Sequence, residues 1–138
     1  MSILEHALAI AEEAHRGQTD KAGRPFIEHL RRVAGGVDTL DGKIVAYLHD
    51  LLEKGEDWSR PRLEREGFGP AVVSAVEAMT KREGEDYAAF VRRAATNPLA
   101  RAVKRADFED NLAQARETGA PTQKYEQGLE ILRDEFGA

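Results

Sequence analysis

The chain has 138 residues, enough for one domain with a real hydrophobic core and too few for two comfortable ones. It has no cysteine, which excludes a disulfide framework and a thiolate metal site, so any metal ion must be held by His, Asp, Glu or water. The net charge of −5 arises from interleaved acids and bases without the basic face of a nucleic-acid binder, and no apolar run reaches the roughly 20 residues that span a bilayer.

The amino terminus, Met1 to His6, lacks the basic start and long apolar stretch of a signal peptide, so a soluble cytoplasmic protein is expected. Ile3, Leu4, Ala7, Leu8, Ala11 and Ala14 follow helical apolar spacing, with Ser2 as cap and Gly17 as terminator. A polar loop, Gln18 to Arg24, leads to Pro25, which suits the first turn of a second helix with the stripe Phe26, Leu30, Val33, Ala34 and Val37. After a break at Asp41-Gly42, the run Ile44 to Leu52 is apolar on every side except at His49 and Asp50. This pattern predicts one buried helix. Lys54 to Arg60 reads as loop, Ser59-Arg60-Pro61 opens a short helix, and Gly67 closes it.

Ala71 to Met79 marks the next helix, and another runs from about Glu85 to Ala95. Pro98 begins a long helix through Val103, Ala106 and Leu112. After Gly119-Ala120-Pro121, a last one carries Tyr125, Leu129, Leu132 and Phe136. No segment sustains period-2 alternation and no repeat or linker interrupts the chain. One compact all-α domain over residues 1–138 is the expected architecture.

An imidazole and a carboxylate side by side in a buried helix carry a large desolvation cost, and a divalent cation offsets both at once. His29 lies on the inward stripe of the second helix, where it is either a core histidine bonded to a carbonyl or a ligand. Asp107 borders Val103 and Ala106, and is either a partner for Lys104 or a ligand. Lys104, Asp107 and Asn111 form one polar line on a helix face, and Glu53 stands one turn after His49-Asp50, where a water-orienting carboxylate belongs.

The order His…His-Asp…Asp on helices resembles the HD superfamily of metal-dependent phosphohydrolases. It is most similar to the hydrolase domain of RelA/SpoT homologues and the small alarmone hydrolases. Ala14–Gln18 with Lys21–His29, Ala46–Glu53, Phe68-Gly69 with Met79–Lys81, and Val103–Leu112 carry the resemblance, which covers about residues 3 to 115. It implies an HD-type fold with metal ligands His29, His49, Asp50 and Asp107, normally around Mn²⁺. It also implies Glu53 as the residue that orients or deprotonates water, Asn111 near sugar or phosphate, and Lys21, Lys104 and Arg24 as phosphate-binding cations. The expected function is hydrolysis of a nucleotide or related phosphorylated small molecule, with the alarmone (p)ppGpp as a candidate and pyrophosphate leaving the ribose 3′ position. Two departures stand out: Lys54 where those hydrolases carry an aspartate, and Asp20 where a basic residue is expected. Lys54 supports a second reading, a metal- and nucleotide-binding module of the same fold that has lost turnover.

Overall fold

The computed structural model describes residues 1–54 and 57–138, with Lys54 through its backbone alone. Among these residues the chain is helical throughout: α1 (Ile3–Ala14), α2 (Phe26–Gly35), α3 (Leu40–Leu48), α4 (Leu51–Lys54), α5 (Arg60–Arg65), α6 (Pro70–Ala78), α7 (Tyr87–Ala95), α8 (Pro98–Thr118) and α9 (Gln123–Phe136). The only β pairing among the described residues is an isolated bridge between Thr19 and Pro25. No helix is long and apolar enough to cross a membrane.

Local chemistry sets the helix ends. Ser2 and Glu5 form a reciprocal capping box at α1. The side chains of Thr39, Ser59, Asp86 and Asn97 each accept a backbone N–H in the first turn of α3, α5, α7 and α8. Gly119 stops α8 in the left-handed conformation, φ 75°, which a residue with a Cβ adopts only at a cost.

The most buried helix is α3, packed by α1, α2, α6 and α8. Val45, Ala46 and Leu48 have no exposed surface, so this helix is apolar on more than one face, as its composition predicts. It is shorter than the sequence suggests. Instead of one helix through Ile44–Leu52, α3 ends at Leu48 and α4 begins at Leu51, so that His49 and Asp50 lie in the break. The His49 ring explains the interruption: its Nδ1–H donates to the Ala46 carbonyl at 2.7 Å, inserting a side chain into the helical hydrogen-bond ladder. The segment at Lys54, expected to open a loop, instead ends α4.

A second apolar cluster joins Val91, Phe108, Ile131 and Leu132 and fixes α9 against α7 and α8. Close approach of α8 and α9 depends on Gly128: a Cβ there would lie 2.5 Å from the Phe108 ring. That ring is 2% exposed and cannot swing into solvent. Gly128→Ala should therefore lower stability by about 1–3 kcal/mol through overpacking, more than the roughly 1 kcal/mol of helix propensity it gains. Gly35→Ala, with nothing within 4 Å of the new methyl, should leave stability unchanged or raised. Urea melts of the two variants check this, and equal midpoints would contradict the close α8–α9 contact.

Candidate metal centre and cleft

The break between α3 and α4 turns His49 and Asp50 toward α2 and α8, which bring His29 and Asp107. His29 Nε2 lies 3.0 Å from Asp107 Oδ1, and His49 Nε2 lies 3.4 Å from the same oxygen and 3.3 Å from Asp50 Oδ2. His29, His49 and Asp50 offer donor atoms that all lie within 4.8 Å of one another. His29, His49 and Asp107 are buried, and Asp50 is half-buried. All four residues named from the sequence as ligands thus meet in one place. The sequence alternatives for His29 and Asp107 resolve in part: among the described residues His29 is bonded to the carboxylates of Asp110 and Asp107, and Lys104 does pair with Asp107, at 3.4 Å.

Both rings are held through Nδ1. His29 Nδ1 donates to Asp110 Oδ2 at 2.7 Å, and His49 Nδ1 donates to the Ala46 carbonyl. Each ring therefore aims Nε2 at the carboxylates. His49 Nε2 is buried without a hydrogen-bond partner among the described residues.

Such an arrangement needs positive charge. Burial opposes a charged His49, but the carboxylates of Asp50 and Asp107 outweigh it and raise its pKa from 6.5 to about 9. For His29 burial also opposes the charge, and its bonds to Asp107 and Asp110 again raise the pKa. Burial disfavours ionised Asp107, yet His49, Lys104 and His29 hold its carboxyl well below the usual range. Charge can come from two protons, which leaves two buried imidazolium rings with centroids 6.0 Å apart. It can also come from one divalent cation, which takes the lone pair of each Nε2 and leaves Nδ1–H in place. The donor set of two imidazoles and two carboxylates fits a first-row divalent ion.

His29, Asp50 and Asp107 line a cleft of about 640 Å³, and His49 is buried against the two carboxylates. Four lysines line it: Lys21 from the α1–α2 loop, Lys81 after α6, Lys104 on α8 and Lys124 on α9. The buried Lys104 ammonium sits 4.8 Å over the Phe90 ring and 4.7 Å over the Phe108 ring. Asn111 Nδ2 donates to Asp107 Oδ1 at 3.1 Å, so part of its amide orients that carboxylate. Glu53 lines the cleft and its Oε1 accepts the Lys81 backbone N–H at 2.9 Å. Lys21 Nζ stands 5.5 Å from the centre of the Tyr125 ring.

Arg24 is not brought to the cleft. Its guanidinium pairs with Glu117 at 2.9 Å and Asp20 at 3.8 Å, so its expected contact with substrate finds no support in its position. Asp20 is not a vacant substitute for a basic residue either. It is buried and accepts the N–H groups of Ala22 and Arg24, each at 3.0 Å, which shapes the loop that carries Lys21. The Lys54 side chain lies outside the described residues.

Sequence reasoning did not find Asp110, Gln114 or Arg32, nor the cleft residues Lys81, Lys124, Tyr87 and Tyr125. For Asp110 and Gln114 a signal existed. They continue the line of Asp107 at helical spacing, so they face the same side of α8. Nothing local marks the α9 residues, because their place over the cleft depends on tertiary packing.

No protein-family model matches the chain. It is similar to a chloroplastic GTP diphosphokinase of Oryza sativa subsp. japonica, 39% identical over 85 residues, covering 59% of this chain and 9% of that protein. It is also similar to the guanosine-3′,5′-bis(diphosphate) 3′-pyrophosphohydrolase of Aquifex aeolicus, 31% identical over 121 residues, covering 79% of this chain and 17% of that protein. A GTP pyrophosphokinase of Mycobacterium leprae is 28% identical over 130 residues, covering 84% of this chain and 16% of that protein. The chain therefore spans less than a fifth of the length of each of these relatives.

The raised histidine pKa values fix a sign for the metal-free protein. A group whose pKa is higher folded than unfolded adds stability below its unfolded pKa and loses it as pH rises through the folded value. For His49 the window runs from 6.5 to about 9, with a loss on the order of 3 kcal/mol across it. Chelator-treated protein should show a Tm that falls between pH 6.5 and 9, and His49→Gln should flatten that dependence. A flat wild-type profile would contradict the charge balance described for the cluster.

Proposed function

We propose that the chain is a metal-dependent phosphohydrolase domain over residues 1–138, acting on a nucleotide or related phosphorylated small molecule. The guanosine bis(diphosphate) alarmone (p)ppGpp is the foremost candidate, with pyrophosphate released from the ribose 3′ position. One observation carries the reading: His29, Asp50 and Asp107 line a cleft that four lysines also line, and His49 is buried against the carboxylates of Asp50 and Asp107. The names of the relatives support the nucleotide class, since each is named for a guanine nucleotide. They divide between hydrolysis and pyrophosphoryl transfer. The donor set favours hydrolysis, because it matches an ion that activates water.

The four ligands would hold Mn²⁺ or a related ion, which supplies Lewis acidity and lowers the pKa of water. The remaining work falls to the chain. Asp110 and the Ala46 carbonyl keep each Nδ1 protonated and each Nε2 directed inward. Asn111 fixes one oxygen of Asp107. Lys104, whose ammonium stands 3.4 Å from Asp107 and over the Phe90 and Phe108 rings, can offer a donor to a phosphate oxygen, and Lys21 lines the same cleft from the α1–α2 loop. Glu53 takes the proton of the attacking water. Water adds to phosphorus, the bond from phosphorus to the 3′ oxygen breaks, and that oxygen leaves with a proton. Tyr87 and Tyr125 line the outer cleft and offer faces on which a base can stack.

Lys54 favours a second reading, in which the pocket binds the same ligands without turnover. A panel of nucleotide phosphates that includes (p)ppGpp, incubated with Mn²⁺-loaded protein, separates the two. The proposal expects phosphate or pyrophosphate release that falls by at least about a hundredfold in Asp50→Ala and by about 10²–10⁴ in Glu53→Gln. Nucleotide affinity without release, in both wild type and Lys54→Asp, would establish the binding module instead. Chelation should lower the Tm and Mn²⁺ at about a hundredfold excess over its Kd should restore about 2.7 kcal/mol, an effect absent in His49→Ala. Identical melting curves with and without Mn²⁺ would contradict the metal site.

A further inference from the structure

The imidazole of His29 and the loop that carries Lys21 are joined by a closed polar network. Asp110 Oδ2 accepts from His29 Nδ1 at 2.7 Å and from Gln114 Nε2 at 2.7 Å. The other end of the Gln114 amide, Oε1, accepts the Lys21 backbone N–H at 2.9 Å. Arg32 donates through Nε to Asp110 Oδ1 at 2.6 Å and through Nη2 to Asp20 Oδ2 at 3.0 Å. Asp20 in turn receives the Ala22 and Arg24 N–H groups. Two separate arms therefore run from the ring to the loop, one through Gln114 and one through Arg32 and Asp20. Gln114 is 2% exposed and Asp110 is largely covered, so water does not compete freely for these bonds.

Geometry makes the network a link between separate elements. His29 sits on α2, Asp110 and Gln114 on α8, and the loop on neither. Both Asp110 oxygens are engaged, so the carboxylate cannot rotate to release His29 without also releasing Arg32 or Gln114. A bidentate guanidinium bridging two carboxylates fixes their separation. Any displacement of residues 20–24 is thereby transmitted to the orientation of His29 Nε2, and the reverse.

We propose that Asp110, Arg32, Gln114 and Asp20 are positioning residues that couple the cation ligand His29 to the Lys21 loop. Seating an ion orders the loop for a phosphorylated ligand, and a ligand on Lys21 tightens the ion. The ion and ligand half of this coupling rests on the proposed function, whereas the link between ring and loop stands on the network alone. By linkage the two effects are equal in free energy.

The test uses the full chain and begins without metal. Imidazole ¹⁵N resonances report how His29 is bonded, and amide exchange at Ala22 and Arg24 reports the loop. Asp20→Asn keeps the oxygen that accepts the two loop amides but breaks the Arg32 contact. It should shift the His29 Nδ1 resonance although Asp20 does not touch the ring. His29→Gln should speed exchange at Ala22 and Arg24 by about tenfold, while amides of Val45 and Ala46 in α3 remain unchanged. Arg32→Ala should produce both changes and Arg32→Lys should partly reverse them. Unaltered His29 resonances in Asp20→Asn, together with unaltered loop exchange in His29→Gln, would overturn the relay. Acceleration of all amides alike would also overturn it, since that is general loosening. Calorimetry then adds the ion: Asp110→Asn should weaken Mn²⁺ by about 10- to 100-fold, and Asp20→Asn by a smaller factor in the same direction. Wild-type protein that binds no Mn²⁺ would overturn the functional reading, while the metal-free measurements still decide the relay.

Discussion

Two imidazoles facing two carboxylates, three of the four residues buried, are the constraint around which this small domain is arranged. Isolated charges there would cost several kcal/mol each, so the cluster persists only if its charges balance and every remaining polar atom has a partner. The fold meets the second condition locally. Asp110 and the Ala46 carbonyl satisfy both Nδ1 atoms, Asn111 takes one Asp107 oxygen, and Lys104 faces the other. His49 Nε2 has no hydrogen-bond partner among the described residues and lies 3.3 Å from Asp50 Oδ2 and 3.4 Å from Asp107 Oδ1.

The rest of the helical frame serves that convergence. Breaking the α3–α4 run at His49 and Asp50 turns both side chains out of a helix that would otherwise aim successive residues in different directions. The long α8 supplies Lys104, Asp107, Asn111 and Gln114 from successive turns of one face, which gives the site a rigid wall. Close contact at Gly128 draws α9 over α8, and the start of α9 then closes the cleft with Lys124 and Tyr125. Although the chain is acidic overall, four lysines line this cleft beside the carboxylates of Asp50, Glu53 and Asp107, so cationic donors for an anionic ligand stand next to the cluster.

Much of this was legible in the sequence. Apolar spacing and caps located the helices because each is amphipathic or enclosed, and Ser2, Ser59 and Pro98 act where their side chains predict. His29 was recognisable from its place on the inward stripe, and His49-Asp50 from the cost of burying such a pair. The break at His49 was not legible, since apolar neighbours on both sides suggest continuity and the interruption comes from the ring's own bond to Ala46. Arg24 was assigned to substrate on resemblance, yet Glu117 and Asp20 hold it elsewhere, a pairing between segments that spacing does not encode. Asp20 read as a loss of charge at the binding loop, whereas its carboxylate is what shapes the loop. Contacts made within a turn or a helix were thus readable, and contacts made across the fold were not.

The central claim is that these four side chains enclose one divalent ion. Anomalous diffraction at the manganese edge, from a crystal grown with Mn²⁺, tests it directly. The account predicts a single strong peak about 2.2 Å from His29 Nε2, His49 Nε2 and oxygens of Asp50 and Asp107. A map with no peak among them, or with Mn²⁺ only on surface carboxylates, would contradict it.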